Sequence, residues 1–362
     1  MPSTLTDDAY GKIHTVALSI PWYAYEAFPE TIKTVIAALP SKAHLEILAD
    51  DSCIASLREW GAGRPGSVNI QKAPEDFTFT HWARDAQFSA VRNNRHISFI
   101  SNLFNRHDDR KVAVKLAQAA DLEIETTSCP VDGGNILVAG DQILVGDELL
   151  EPDANWLACD PQYRIARLGA RDVRPAEEIV SSEILGPDWR EHRRVGSKSS
   201  TQPQYHLDLY VAPAGKDADG KPMWLVGCPR AGAELLGLDL LDLADATLFD
   251  QAAKRLLDQG CTVIRNPMPL FWSDQEQQRL RTWFHLPVNN VLVEICRGTG
   301  KKVWLPCFGE GVWPELSAID EANARIWRDL GFEVFKIPGF LKLAERRGAL
   351  RCMCNVLKRE KY

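Results

Sequence analysis

The chain has 362 residues, enough to bury a large core, with 45% hydrophobic and 25% charged residues and no low-complexity tract. A formal charge of −7 opposes binding to a phosphate backbone, and no apolar run reaches the roughly 20 residues of a membrane span. These properties predict a globular protein that works on neither nucleic acid nor a bilayer.

The opening residues Met1 to Tyr10 are polar and show no signal-peptide pattern. His14 to Pro21 has the β-branched and apolar content of a strand, and Glu30 to Pro40 reads as a helix stopped before proline. His44 to Asp50 is a second strand. Asn135 to Gly146 holds two apolar runs around Gly140-Asp141, which predicts a hairpin. The polar stretch Gly196 to Gln204 reads as a loop, and Pro213 to Pro222 as a hairpin tip. A helix ending before Gly260 leads into the strand Cys261 to Pro267. Leu316, Ile319, Ala322, Ile326 and Leu330 stand at helical spacing and are closed by Gly331, with Phe332 to Pro338 as the next strand. Strands and helices interleave throughout, so the fold is α/β or α+β. No linker divides the chain, and one domain over residues 1–362 is expected. The nine cysteines are scattered without paired zinc-finger spacing, which predicts free thiols in a reducing cytoplasm.

Four segments carry residues suited to chemistry. Trp82-Ala83-Arg84-Asp85 follows an aromatic-rich run, and its acid could face a cleft and hold a cation; an ordinary surface ion pair of Arg84 and Asp85 explains it as well. Asp132-Gly133-Gly134-Asn135 combines an acid with backbone freedom that aims it, but is also a common turn composition. His206-Leu207-Asp208, if a strand, puts a titratable base and a carboxylate on one face; a satisfied strand histidine is the plainer alternative. No second histidine at metal-ligand spacing accompanies it, so no metal is expected. Gly348 to Cys352 is a glycine turn leading into a cysteine, with Cys354 expected on the same side of a strand. Most cysteines are small buried hydrophobes, so no segment decides alone.

In this order the four segments resemble the guanidino-group-modifying enzymes of the pentein superfamily, nearest to agmatine deiminase and bacterial peptidyl-arginine deiminase. Asn266 to Pro269, Val288 to Val291, Val303 to Pro306 and Phe308-Gly309 follow the same layout. The sequence departs from it in three places: Ala86-Gln87 replaces a usual Gly-Pro, Asp132 replaces glutamate, and Arg351 replaces the histidine before the cysteine, as in free-arginine deiminases.

The resemblance implies a pentein α/β propeller, five ββαβ-like units around a central active-site cleft. It implies a deiminase that converts the guanidinium of agmatine, arginine or peptidyl arginine to a ureido group and ammonia. Cys352 is then the nucleophile that forms a thiouronium intermediate, His206 the acid and base, and Asp132 the group that bonds the guanidinium or orients His206. Asp85 and Asp208 clasp the substrate, with Trp82, Arg84, Asn135 and Asn289 as further substrate-binding positions. No cofactor is implied, and the family commonly forms homodimers. An amidinotransferase would share the site and pass the amidino group to an amine. A cysteine peptidase and a non-catalytic pentein binding protein are the alternatives of other classes; the pocket for the substrate's tail is expected in Gly146 to Gln204 and Pro213 to Arg230.

Overall fold

The computed structural model describes residues 3–103, 106–127, 132–146, 164–168, 182–184, 194–195, 206–240, 246–275, 280–311 and 313–360. The loop expected over Gly196 to Gln204, and most of the expected tail pocket, lie outside these residues.

One pairing pattern recurs five times: an antiparallel pair of strands, then a third strand parallel to the second. Gln87–Arg92 pairs with Arg95–Ile100, the helix His107–Ala119 crosses over, and Glu123–Thr126 lies parallel to Arg95–Ile100. Ile136–Ala139 pairs with Gln142–Gly146, which takes Arg164–Leu168 in parallel. Val211–Lys216 and Pro222–Cys228 are followed by the helices Pro229–Leu236 and Ala246–Asp258 and by Thr262–Pro267. Leu292–Cys296 and Gly300–Pro306 are followed by the helix Ser317–Asp329 and by Phe332–Ile337. The fifth module joins the two ends of the chain. Cys354–Glu360 pairs antiparallel with Lys12–Ile20, which lies parallel to His44–Ala49 after the helices Trp22–Ala27 and Pro29–Ala38. A hairpin needs only a short turn, whereas the parallel return needs a crossover, which is why the helices fall where they do. The repeat escaped sequence inspection because the modules share burial pattern, not residues.

Local chemistry accounts for the turns. Asn93 and Asn94 both sit at positive φ, the two-residue hairpin geometry whose twist matches the strands. The expected hairpins at Gly140-Asp141 and within Pro213 to Pro222 form, the second turning over Asp217 to Gly220. Gly260 and Gly331 follow their helices in the left-handed region, as expected.

The face of Ser317–Asp329 is turned from its expected orientation. Its buried residues are Ile319, Asp320, Asn323, Ala324 and Trp327, while Ala322, Ile326 and Leu330 are half-buried. The polar members explain the rotation. Asn323 Nδ2 donates to the carbonyl of Pro267 at 2.9 Å, and Asp320 accepts the backbone N–H groups of Phe308 (3.0 Å) and Gly309 (2.8 Å). A purely apolar stripe could not meet these buried backbone groups. No helix among the described residues is long and apolar enough to cross a membrane.

Because Asp320 holds two amides that nothing else is shown to accept, Asp320→Ala is expected to cost about 2–3 kcal/mol of stability, the price of stranded buried donors. Equilibrium denaturation of the variant checks this, and a loss below about 0.5 kcal/mol would contradict the assigned role.

Candidate active site

Five segments far apart in sequence converge on Cys352. The cysteine sits on a single helical turn, Leu350–Met353, and Cys354 opens the final strand. The expected strand carrying both thiols on one side is therefore not what forms. The carboxamide of Asn290 anchors that turn: Oδ1 accepts the N–H groups of Ala349 (3.1 Å) and Cys352 (3.0 Å), and Nδ2 donates to Cys352 Sγ at 3.2 Å. Trp82 packs its ring edge against Gly348, where a Cβ would come within 2.6 Å of two ring carbons.

His206 and Asp208 do not lie on a strand. His206 is extended and Leu207–Leu209 forms a 3-10 turn, held by the donation of Leu207 N to Asn135 Oδ1 at 3.2 Å. The turn nevertheless brings both side chains to the cysteine. Both Asp208 oxygens stand 4.0 Å from Cys352 Sγ. His206 Nε2 meets Asp132 Oδ2 at 3.1 Å, and Nδ1 lies 3.8 Å from Asp85 Oδ1. The glycine pair makes this approach possible. A Cβ on Gly133 would sit 2.1 Å from the Arg84 carbonyl oxygen, and one on Gly134 would sit 2.7 Å from His206 Nδ1.

The cluster is nearly closed to water: Cys352, His206, Asp85 and Asp208 are 2, 3, 3 and 0% exposed. Charges at such depth need partners. Asp208 Oδ2 accepts from Arg351 Nη1 at 2.7 Å, and Asp85 Oδ2 accepts from Arg106 Nη1 at 2.7 Å. Asp85 Oδ1 is buried without a hydrogen-bond partner. Burial alone would discharge His206, but the carboxylates of Asp85, Asp132 and Asp208 outweigh it and push the imidazolium up to about 9. The Cys352 thiol moves the other way in charge: burial, then Asp208 and Asp85, raise it well above its ordinary value. The unliganded site therefore holds a neutral thiol beside an imidazolium.

Not every expected substrate contact faces this cluster. Arg84 is a structural ion: its guanidinium donates to the carbonyls of Gly133 (3.0 Å) and Ile136 (3.3 Å) and to Asn355 Oδ1 (3.1 Å), and pairs with Asp8 Oδ1 at 3.5 Å. Asn289 is spent on Tyr210 O and on the side chain of Asn266; its neighbour Asn290 touches the thiol instead. Asn135 positions Leu207 and so acts through the His206 turn. Cys354 is buried in the main core, with its thiol raised by burial. Two groups of ligand-type side chains, His206, Asp208 and Cys352, and Asp85, Asp132 and His206, are compact enough to hold an ion. Asp208 and Asp85 each already share an oxygen with a guanidinium, whose positive charge opposes a second cation there.

Asp8 and Arg106 complete the site without having been singled out beforehand, and Asn290, expected with Asn289 near the substrate pocket, is the one of the pair that touches the thiol. Asp8 and Arg106 carry no motif, and only their three-dimensional partners reveal them.

No family model and no curated protein sequence matches the chain. Solved structures do. The agmatine deiminase of C. jejuni superposes with a TM-score of 0.64 at 13% identity, covering 100% of this chain and 98% of that one. It is also solved as a cysteine-to-serine variant with substrate bound. The agmatine deiminase of Enterococcus faecalis gives 0.66 at 12% identity, over 99% and 96% of the two chains. A candidate peptidyl-arginine deiminase gives 0.65 at 15% identity, over 99% of both. The fold is the pentein fold. The expected fold is thus the one found, and its thiol cluster draws on the module that joins the two chain ends.

Two outcomes follow for the titrating groups. Difference absorbance at 240 nm between the wild type and Cys352→Ser should show no thiolate from pH 6 to about 9; a step below pH 8 would contradict the neutral thiol. His206 binds its proton more tightly folded than unfolded, so its contribution is full below about pH 6.5 and is lost as pH rises through about 9. Relative to His206→Gln, the wild type should lose up to about 3 kcal/mol across that window, read from denaturation at fixed pH values.

Proposed function

We propose that this chain is a guanidine deiminase, a single catalytic domain whose five modules stand as propeller blades around the thiol cluster. One observation carries the reading: a buried thiol, an imidazolium and three carboxylates lie together, and Asp85 Oδ1 there lacks a hydrogen-bond partner. A planar cation with N–H donors on one carbon would bond Asp85 and Asp208 and bring its carbon to Cys352 Sγ. The agmatine deiminase neighbours, one of them solved with substrate, support it.

The resting protonation state suits such a substrate. Incoming positive charge offsets the carboxylates that hold the thiol neutral, so Cys352 ionises as the cation arrives, its proton passing to solvent because His206 already carries one. The thiolate adds to the guanidinium carbon and gives a neutral tetrahedral adduct. His206 then donates its proton to one amino group, the C–N bond breaks, ammonia leaves, and a cationic thiouronium remains. Neutral His206, held by Asp132, takes a proton from water as the hydroxide adds to the same carbon. The C–S bond breaks with its electron pair returning to sulfur, the hydroxyl proton passes to the ammonia already expelled, which leaves as ammonium, and the neutral ureido product departs. Asn290, donating to Sγ at 3.2 Å, stabilises the thiolate at both ends of the cycle. The seven described cysteines are free thiols, as a reducing cytoplasm would keep them.

Ammonia release from agmatine, free arginine, a blocked arginine peptide and methylated arginines tests the proposal. At least one should react, and Cys352→Ser should lower its turnover by about 1000-fold or more while binding stays within about tenfold. Silence across the panel, or full activity in the serine variant, would overturn it. Ornithine formed from arginine and glycine without ammonia would instead identify an amidinotransferase.

A further inference from the structure

The N-terminal residues Thr4 to Gly11 form a strap that touches all five modules in turn. Thr4–Leu5 pairs with Val91 and Ala90 of the first, and Asp8 exchanges two bonds with Val138 of the second. Tyr10 Oη lies 3.6 Å from the place a Cβ would take on Gly215 of the third. In the fourth, Ile295 N donates to the Ala9 carbonyl at 2.8 Å, and the Ile295 carbonyl accepts Gly11 N. In the fifth, the Arg359 guanidinium donates to the carbonyls of Asp8 (2.9 Å) and Gly11 (2.8 Å).

Two adjacent acids on this strap serve different ends. Asp7 accepts three backbone N–H groups, those of Ala9 and Tyr10 at 2.7 Å and that of Gly140 at 2.6 Å, and so fastens the strap. Asp8 Oδ1 instead meets Arg351 Nη2 at 2.8 Å and Arg84 Nη2 at 3.5 Å. Arg351 Nη1 donates onward to Asp208 Oδ2 at 2.7 Å, and both Asp208 oxygens stand 4.0 Å from Cys352 Sγ. The strand pairing, the Asp7 amides and the Arg359 clamp attach the strap without this ion pair, so attachment does not explain a carboxylate between two arginines.

Its charge does. Among the described residues Asp8 is the acid that ion-pairs with Arg84, and it shares Arg351 with Asp208. Arg84 and Arg351 are close enough to repel, and both feel Asp208. With Asp8 neutral, Asp208 would face two buried guanidinium groups alone. Its field would go to them, and less would reach a cation at the thiol. A neutral head would lose little.

Deimination turns a cation into a neutral ureido group, so the two ends of the reaction differ in this respect. We infer that Asp8 is a positioning residue that lets the cluster distinguish cationic substrate from neutral product: through Arg351 it fixes Asp208 and leaves that carboxylate its charge. The inference rests on the deiminase reading and adds to it a residue on the strap, outside every motif around the thiol.

The probes are agmatine, free arginine, the blocked arginine peptide and methylated arginines, each with its ureido counterpart. Calorimetry on Cys352→Ser gives dissociation constants for the pair whose guanidine the wild type turns over. Asp8→Asn in that background should weaken the guanidine by about tenfold or more and the ureido compound by less than about threefold. Asp8→Glu keeps the charge, and a small cavity that Asp8 borders with Thr6, Arg84 and Ser89 can take the extra methylene; the ratio should return to within about threefold of the parent. Asp7→Asn loosens the strap alone, so it should lower the unfolding temperature and leave the ratio unchanged. Equal weakening of both ligands, the same selective loss in Asp7→Asn, or no recovery with glutamate overturns the inference and leaves the deiminase standing. Arg351→Lys offers one nitrogen where the two acids now hold two, and should also weaken the guanidine selectively. An unchanged ratio in that variant overturns the inference even where Asp8→Asn does not fold. A wild type that turns over no member of the panel overturns both readings.

Discussion

Asp8 is the charge on which the site is built. It lies between two buried arginines, 2.8 Å from Arg351 Nη2 and 3.5 Å from Arg84 Nη2, and its second oxygen accepts the Val138 amide at 2.9 Å. Burial alone would raise this acid, but Arg351 and Arg84 outweigh that and hold it below the usual carboxylate range. Each arginine in turn fixes something the site needs. Arg351 orients Asp208, and Arg84 clamps the Gly133 carbonyl next to Asp132 and the His206 cradle. A carboxylate missing here would leave two guanidinium groups facing one another in a dry interior, which proteins avoid at a cost of several kcal/mol. The N-terminal segment is therefore part of the active-site scaffold.

The same economy of charge sets how the thiol behaves. Asp85 leans on Arg106, Asp208 on Arg351, and Asp132 on His206. Without these partners three carboxylates around a thiol would repel its ionisation even more strongly, and would themselves be too costly to bury. With them, each acid is held in one orientation, while burial, Asp208 and Asp85 raise the Cys352 thiol well above its ordinary value.

Much of this was legible in the sequence, for definable reasons. Strands and helices follow local apolar periodicity and turn residues, so His14 to Pro21, Glu30 to Pro40 and the Gly140-Asp141 hairpin appear close to where they were expected. The four segments brought to Cys352 were named from motif order. Side-chain direction was not legible, because it follows from tertiary partners. Arg84 looked like a substrate contact until its donors were matched to carbonyls, and Asn289 and Asn290 are indistinguishable until one meets Tyr210 and the other the thiol. The alternation of polar and apolar residues around His206 suits a strand, whereas the Asn135 side chain holds Leu207–Leu209 as a 3-10 turn. Asp8 and Arg106 carried no signal, since an isolated acid or arginine gains its meaning only from what surrounds it.

The disparity between fold and sequence similarity has the same origin. An antiparallel pair with a parallel return asks only for residues of suitable size and polarity at buried positions, and many sequences meet that demand. Agreement over the full chain at 12% identity is what such a scaffold allows. The thiol cluster is less forgiving, because its geometry depends on a closed set of ion pairs in which every charge answers another. A change at one member has to be met by a change at its partner. Arg351 is coherent there only because Asp8 and Asp208 receive both of its ends. The residues that set this cluster apart are thus found in the pairing around the thiol, and the thiol itself is the least informative of them.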